Sequence, residues 1–166
     1  MKTLYVLIGL PGSGKSTWCR NLPRTHTGCA TEWDIISRDN IRFSMLKPEE
    51  DYFAHEKEVW NEYVQKVADS INDPWTINTI ADSTNLSPKA RCRLINEVRM
   101  ALKPGYKFQV VYVYFDVYYI TCIRRNNQRH GRERVPEEAI KKKKKALIFP
   151  TAEESKLLTR IEIVRD

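Results

Sequence analysis

The run Gly9-Leu10-Pro11-Gly12-Ser13-Gly14-Lys15-Ser16 follows directly on the apolar stretch Thr3-Leu4-Tyr5-Val6-Leu7-Ile8 and fits the pattern GxxxxGK[ST]. That pattern needs a buried strand, a tight loop and a helix start in immediate succession. Gly9, Gly12 and Gly14 let several backbone N–H groups turn inward toward one anion, and a helix beginning at Lys15 aims its positive end at the same point. The chemistry suits the phosphates of a nucleoside triphosphate. Lys15 then reaches the β- and γ-phosphates, the Ser16 hydroxyl ligates magnesium, and Ser13 and Thr17 belong to the same ATP-binding stretch. A plain glycine turn is the competing reading, and the strand in front of the loop argues against it.

With 166 residues and 42% hydrophobic content the chain has the size of one domain, residues 1–166, able to bury its own core. Lys and Arg total 28 against 21 Asp and Glu, a net charge of +7, which favours a polyanionic partner with nucleic acid as first candidate. Cys19, Cys29, Cys92 and Cys122 are scattered without metal-binding spacing, and no signal peptide precedes them, so reduced thiols in a cytoplasmic protein are expected. Cys19 and Cys92 fall in helical stretches, where a small packing side chain is the simpler role. No apolar run approaches the ~20 residues of a membrane span.

Periodicity predicts a helix from Lys15 to about Asn21 and a second strand over Thr31–Ser37, ended by the polar Arg38-Asp39-Asn40. Pro48 with Glu49, Glu50 and Asp51 reads as the start of a long amphipathic helix reaching Asn72. Trp75 to Ala81 reads as a third strand, Ser87-Pro88 as the start of a helix to about Leu102, and Phe108 to Phe115 as the clearest strand. Asp116 is placed to cap a helix through Ile123, and residues 124–135, with five arginines, read as a mobile lid. A helix from Pro136 and a fifth strand over Ile161–Val164 complete an α/β fold: a three-layer P-loop kinase-like arrangement, mostly parallel and five-stranded, with helices on both faces.

In such sheets the working residues stand beyond the carboxyl ends of the strands. After the second strand, Asp39 is placed to take a proton from a substrate hydroxyl, and Arg38 and Arg42 to hold an anionic group on that substrate; alternatively Asp39 caps a short helix and the arginines are solvated. After the third strand, Asp82 reads as a magnesium-binding acid of the Walker B kind with Thr84 and Asn85 beside it, or as an Asx turn. Among Arg124, Arg125, Arg129, Arg132 and Arg134, one arginine can offset charge developing during phosphoryl transfer, or the run is a solvated face. Lys141 to Lys145 circle a whole helix and read as solubility or nonspecific phosphate contact, Trp18 and Trp60 as core, and no aromatic cluster announces base stacking.

Together Gly9–Trp18, Ser37–Arg42, Asp82–Pro88 and Arg125-Asn126 through Val135-Pro136 resemble the 5′-polynucleotide kinase family with its bacteriophage type of kinase domain. The resemblance implies ATP and Mg2+ as cofactors, 5′-hydroxyl ends of DNA or RNA as partners, and Asp39 as general base. It also implies Arg42 on the phosphate at the 3′ side of the acceptor nucleotide, Lys15 and Ser16 on ATP and magnesium, and Arg129 as the lid arginine with Arg132 as its rival. This chain departs from the phage type in holding Ser83 immediately before Thr84-Asn85, with the acid one residue earlier at Asp82. No Asp-x-Asp phosphatase segment follows the fifth strand, so a kinase without an end-healing phosphatase is expected. Kinases of small metabolites, nucleosides or aminoacyl-tRNA, and a noncatalytic nucleotide and nucleic-acid binder, remain the other readings.

Overall fold

The fold is that of a computed structural model, which describes residues 1–23 and 31–166. Cys29 and the link between the first helix and second strand lie outside the described residues. Five strands, β1 (Lys2–Ile8), β2 (Thr31–Ser37), β3 (Thr76–Asp82), β4 (Phe108–Asp116) and β5 (Arg160–Arg165), form one sheet in the order β2-β3-β1-β4-β5. Every neighbouring pair is parallel. Among the described residues, six α-helices connect them: α1 (Lys15–Arg20), α2 (Arg38–Met45), α3 (Glu56–Asn72), α4 (Pro88–Met100), α5 (Tyr119–Asn127) and α6 (Glu137–Ala146). Among the described residues, no helix is long and apolar enough to cross a membrane.

The central strands are continuous apolar runs because both faces are covered. Leu4, Val6 and Ile8 of β1 pack under α3 and α4, against Val59, Tyr63, Val67, Leu94 and Val98, while Tyr5 and Leu7 face Cys19 of α1 with Val111, Val113 and Phe115. Truncating Leu94 or Ile71, both fully enclosed, to alanine costs about 2–5 kcal/mol. The thiols of Cys19, Cys92 and Cys122 are free, and burial pushes the Cys19 thiol up to about 12, which suits a packing group rather than a nucleophile.

Several boundaries differ from the sequence-based expectation, each for a local reason. Arg38-Asp39-Asn40 open α2 rather than closing β2 into a loop, because the Ser37 hydroxyl accepts from Asn40 N at 3.3 Å and caps a helix there. The long helix begins at Glu56, not near Pro48. In between, Glu50 accepts from Lys47 N (2.8 Å) and Asp51 from Phe53 N (2.9 Å), so the acids bond the backbone in turns instead of leading a helix. Asp116 does not cap α5, which starts at Tyr119 without a side-chain cap; it ends β4 and accepts from Arg165 (3.3 Å). α5 extends to Asn127 and so carries Arg124 and Arg125, leaving 128–134 with a 3-10 turn at Gly131–Glu133 as the segment over the cleft.

Register sets where the chemistry is displayed. Val6 lies opposite Ala81 and Ser37 opposite Asp82, so the loops after β1, β2 and β3 leave the sheet at one edge. They open into a cleft of about 1210 Å³.

Candidate active site

The loop after β1 has the backbone that its glycines permit. Gly12 and Gly14 have φ of 81° and 96°, and a Cβ on Gly12 would clash with the Cys122 carbonyl oxygen. At Gly9 a Cβ would lie 2.6 Å from Ser13 Oγ, so a side chain would fill the cradle. Lys15 Nζ donates to the carbonyls of Gly9 and Leu10, each at 2.9 Å. Burial pushes this ammonium down to about 8, and nearby Arg129 adds to the shift while Asp82 and Asp39 oppose it. Lys15, Asp82, Asp39 and Arg129 are therefore one electrostatic cluster. Ser16 and Thr17 stand exposed at the same end of the cleft.

Asp82 ends β3 beside the P-loop. Burial raises its carboxyl above the ordinary range, Lys15 pulls it back and Asp39 pushes it further up. A half-buried carboxylate near a second acid, in the same cleft as the exposed Ser16 hydroxyl, fits a divalent cation, and Ser16 and Asp82 are the residues that would hold it. The neighbouring loop is braced from behind. Gly9 N donates to Thr84 O (3.1 Å), and Asn85, in the left-handed region at φ 46°, donates from Nδ2 to Leu7 O (2.7 Å). Arg91 of α4 donates to the carbonyls of Asn85 (2.9 Å) and Leu86 (3.0 Å) and grips Glu154 with Nε and Nη2 at 2.7 and 2.9 Å. Sequence spacing does not reveal this brace, because Arg91 and Glu154 are 63 residues apart.

Across the cleft, α2 presents Asp39 and Arg42 on adjacent turns. Arg42 Nη1 donates to Asp39 Oδ1 (2.8 Å) and to Tyr52 Oη (2.9 Å), and Tyr52 in turn donates to the same Asp39 Oδ1 (2.8 Å). One carboxylate oxygen is thus held by two donors, and the other has no hydrogen bond among the described residues. Arg42 Nη2 reaches both oxygens of Glu56, at 2.8 and 2.7 Å, and Arg38 also pairs with Glu56 while lying 5.1 Å over the Trp60 ring. Arg42 is 4% exposed. The two guanidiniums expected to wait for an anionic substrate are therefore occupied by a glutamate, so they do not argue for a phosphate-bearing acceptor.

The segment over the cleft is pinned at its base. Asn126, fully buried, donates from Nδ2 to Val135 O (2.7 Å) and accepts from Val135 N (2.9 Å), closing the segment between them into a loop. Arg125 donates to Asp166 (2.8 Å) and Arg134 to Asn127 (3.4 Å). Arg129 faces Lys15, whereas Arg132 Nη2 crosses to the carbonyls of Lys47 and Pro48, both at 2.7 Å. Arg129 thus lies on the Lys15 side of the cleft and Arg132 on the side of the turn at Lys47 and Pro48. Lys143 departs from the expectation for the lysine run: with Pro136 and Ala139 it lines the cleft, while its neighbours Lys142 and Lys144 are exposed. Glu56, Tyr52 and Lys143 were not singled out from sequence, since none stands in a motif or just beyond a strand.

The fold is that of a P-loop kinase-like nucleotide-binding domain, with the glycine loop, Lys15, Asp82 and an arginine-bearing segment around one cleft. The chain belongs to the AAA domain family, whose model matches residues 4–150. Among solved structures it is similar to a chain of the Pnkp1/Rnl/Hen1 RNA repair complex, at 20% identity and a TM-score of 0.67, covering 88% of this chain and 44% of that one. It thus spans less than half of that repair chain. It is also similar to a fungal RNA kinase (13%, TM-score 0.62, 98% and 74% covered) and to an unliganded sugar kinase of a Janibacter species (13%, TM-score 0.59, 99% and 86% covered). At such identities the likeness is one of fold.

Proposed function

We propose that this protein is an ATP-dependent kinase that transfers the γ-phosphate to the 5′-hydroxyl end of DNA or RNA, with Asp39 as general base. The observation that carries the reading is Asp39 itself, held through one oxygen by Arg42 and Tyr52 with the other oxygen free, within electrostatic reach of Lys15. The acceptor oxygen forms its bond to the γ-phosphorus, the bond to the ADP oxygen breaks, and the proton passes to the free Asp39 oxygen. Lys15 and Arg129 offset the charge on the transferring group, and the loop N–H groups of residues 9–16 bind the phosphates. Magnesium, held by Ser16 and Asp82, would supply further charge neutralisation. Thr84 supports the loop through its carbonyl. The RNA-repair and RNA-kinase relatives in fold and the net charge of +7 support nucleic acid as acceptor.

A kinase of a neutral metabolite is the second reading, favoured by the pairing of Arg38 and Arg42 with Glu56. The test is transfer of labelled γ-phosphate from ATP with magnesium to 5′-hydroxyl DNA and RNA oligonucleotides, 3′-mononucleotides and a set of small alcohols. Labelling of oligonucleotide ends that Asp39→Asn abolishes supports the proposal. Labelling confined to small alcohols selects the metabolite reading, and ATP binding without any transfer selects the noncatalytic binder.

A further inference from the structure

Among the described residues, the acceptor half of the cleft contains a cation and an aromatic ring that the residues above do not use. Both Arg42 Nη groups are engaged, Nη1 with Asp39 and Tyr52 and Nη2 with Glu56, and Nε is buried, without a partner among the described residues. A phosphate beside the acceptor hydroxyl therefore needs another cation. Lys143 is half-buried in the cleft wall and, among the described residues, makes no hydrogen bond or ion pair, yet Asp39, Arg42, Arg38 and Glu56 all act on its charge. Burial lowers its affinity for the proton, with Asp39 and Glu56 opposing, as for an ammonium held near the general base. α6 fixes it there through Ile140, which is fully buried one turn earlier.

Phe53 is 61% exposed although it lines the same cleft. Its ring stands edge-on to Tyr52 (4.8 Å, 85°), which stands against Phe43 (6.2 Å, 69°), so a wall of three aromatics backs one open face. The Arg42 guanidinium lies 6.0 Å from the Phe53 centroid, which places ring and lysine around the same residue. An exposed ring next to a spare cation is the pairing that binds a base and its phosphate.

We propose that Lys143 and Phe53 form the subsite for the acceptor's terminal nucleotide, Lys143 pairing with its 3′-side phosphate and Phe53 stacking on its base. The proposal rests on the kinase reading and replaces Arg42 as the phosphate contact; Arg42 becomes a positioning residue for Asp39. The experiment uses adenosine, adenosine 3′-phosphate and abasic deoxyribose 3-phosphate, measuring calorimetric binding together with KM and kcat in wild type, K143Q, K143R, F53A and F53W. For adenosine 3′-phosphate, K143Q raises Kd and KM about tenfold or more, K143R keeps most of the affinity, and neither adenosine nor ATP is affected. F53A weakens both base-bearing probes about fivefold or more, leaves the abasic probe unchanged, and F53W restores binding.

Equal losses on adenosine and its 3′-phosphate in K143Q, or a shift confined to the KM for ATP, overturn the subsite. So does a wild type that fails to bind adenosine 3′-phosphate. Oligonucleotide phosphorylation that is undiminished in K143Q and F53A overturns the subsite and leaves the kinase reading standing. Lys143-dependent binding without transfer to any probe or oligonucleotide does the reverse.

Discussion

Arg91 and Arg42 are both buried, and each grips a glutamate through two hydrogen bonds, but their acids differ in access to water. Glu154 is 1% exposed and Glu56 36% exposed in the side chain. Around Arg91, every guanidinium nitrogen has a protein acceptor, and Glu154 also accepts from Thr151 N (2.8 Å) and Oγ1 (3.2 Å). Two charges in a medium of low dielectric persist only with such complete satisfaction, and the pair acts as a strut between α4, the loop after β3 and the chain before β5. Around Arg42 one nitrogen is orphaned, the guanidinium lies 4.3 Å over the Tyr52 ring, and the remaining donors aim Asp39. The same ion pair thus builds scaffold where the acid is sealed and, on the proposed kinase reading, orients Asp39 where the acid meets solvent.

The largest expected effect tests what the open cluster is for. Asp39→Asn, isosteric but unable to take a proton, lowers kcat by about 10²–10⁴-fold and leaves the Kd for ATP within about twofold, measured by steady-state kinetics and nucleotide titration. Unchanged turnover would remove the general base from the site.

Next comes stability, where the two arginines should part. Arg91→Met strands Glu154 in the interior and costs about 3–5 kcal/mol in denaturant unfolding, recovered in part by adding Glu154→Leu. Glu56→Gln, at a pair whose acid is a third exposed, costs about 1 kcal/mol or less. Similar losses in both variants would erase the distinction drawn here.

The P-loop lysine adds a pH dependence. Its folded-state pKa is lowered to about 8, so the ammonium is intact below that pH and is lost above it. The Kd for ATP is therefore flat below pH 8 and rises above it by up to about tenfold per unit. A flat titration to pH 10 would place the lysine charge outside nucleotide binding.

The smallest effect sharpens the role of Tyr52. Tyr52→Phe keeps the ring beneath Arg42 and removes one of the two donors on Asp39 Oδ1, so kcat falls only a few-fold. The Kd for ATP stays within about twofold, measured by nucleotide titration, because the ring still packs beneath Arg42. A kcat equal to that of wild type would show that Tyr52 only packs.

The sheet was legible because its signals are local. The run from Thr3 to Ile8 is apolar since β1 is covered on both faces, and the glycine spacing that follows encodes a backbone requirement seen in the positive φ of Gly12 and Gly14. The strand-end rule brought Asp39 and Asp82 into view for the same reason, as each sits a short step from a readable strand. The turns at 47–55 were misread because acids before an apolar periodicity satisfy a helix start and a turn equally well, and only the backbone N–H groups they accept from decide between them.

By itself, then, the sequence determined a parallel α/β sheet with a phosphate-binding loop on its first strand, because period, glycine position and capping act over a few residues. Only the tertiary structure decided that Glu56 occupies both arginines of α2, that Arg91 and Glu154 brace the loop behind Asp82, and that Lys143 alone among the lysines Lys141 to Lys145 lines the cleft. Those pairings join residues 14 to 63 positions apart or depend on the rotation of one helix about its axis. Packing fixes such choices through the burial of distant side chains, and no local pattern carries them.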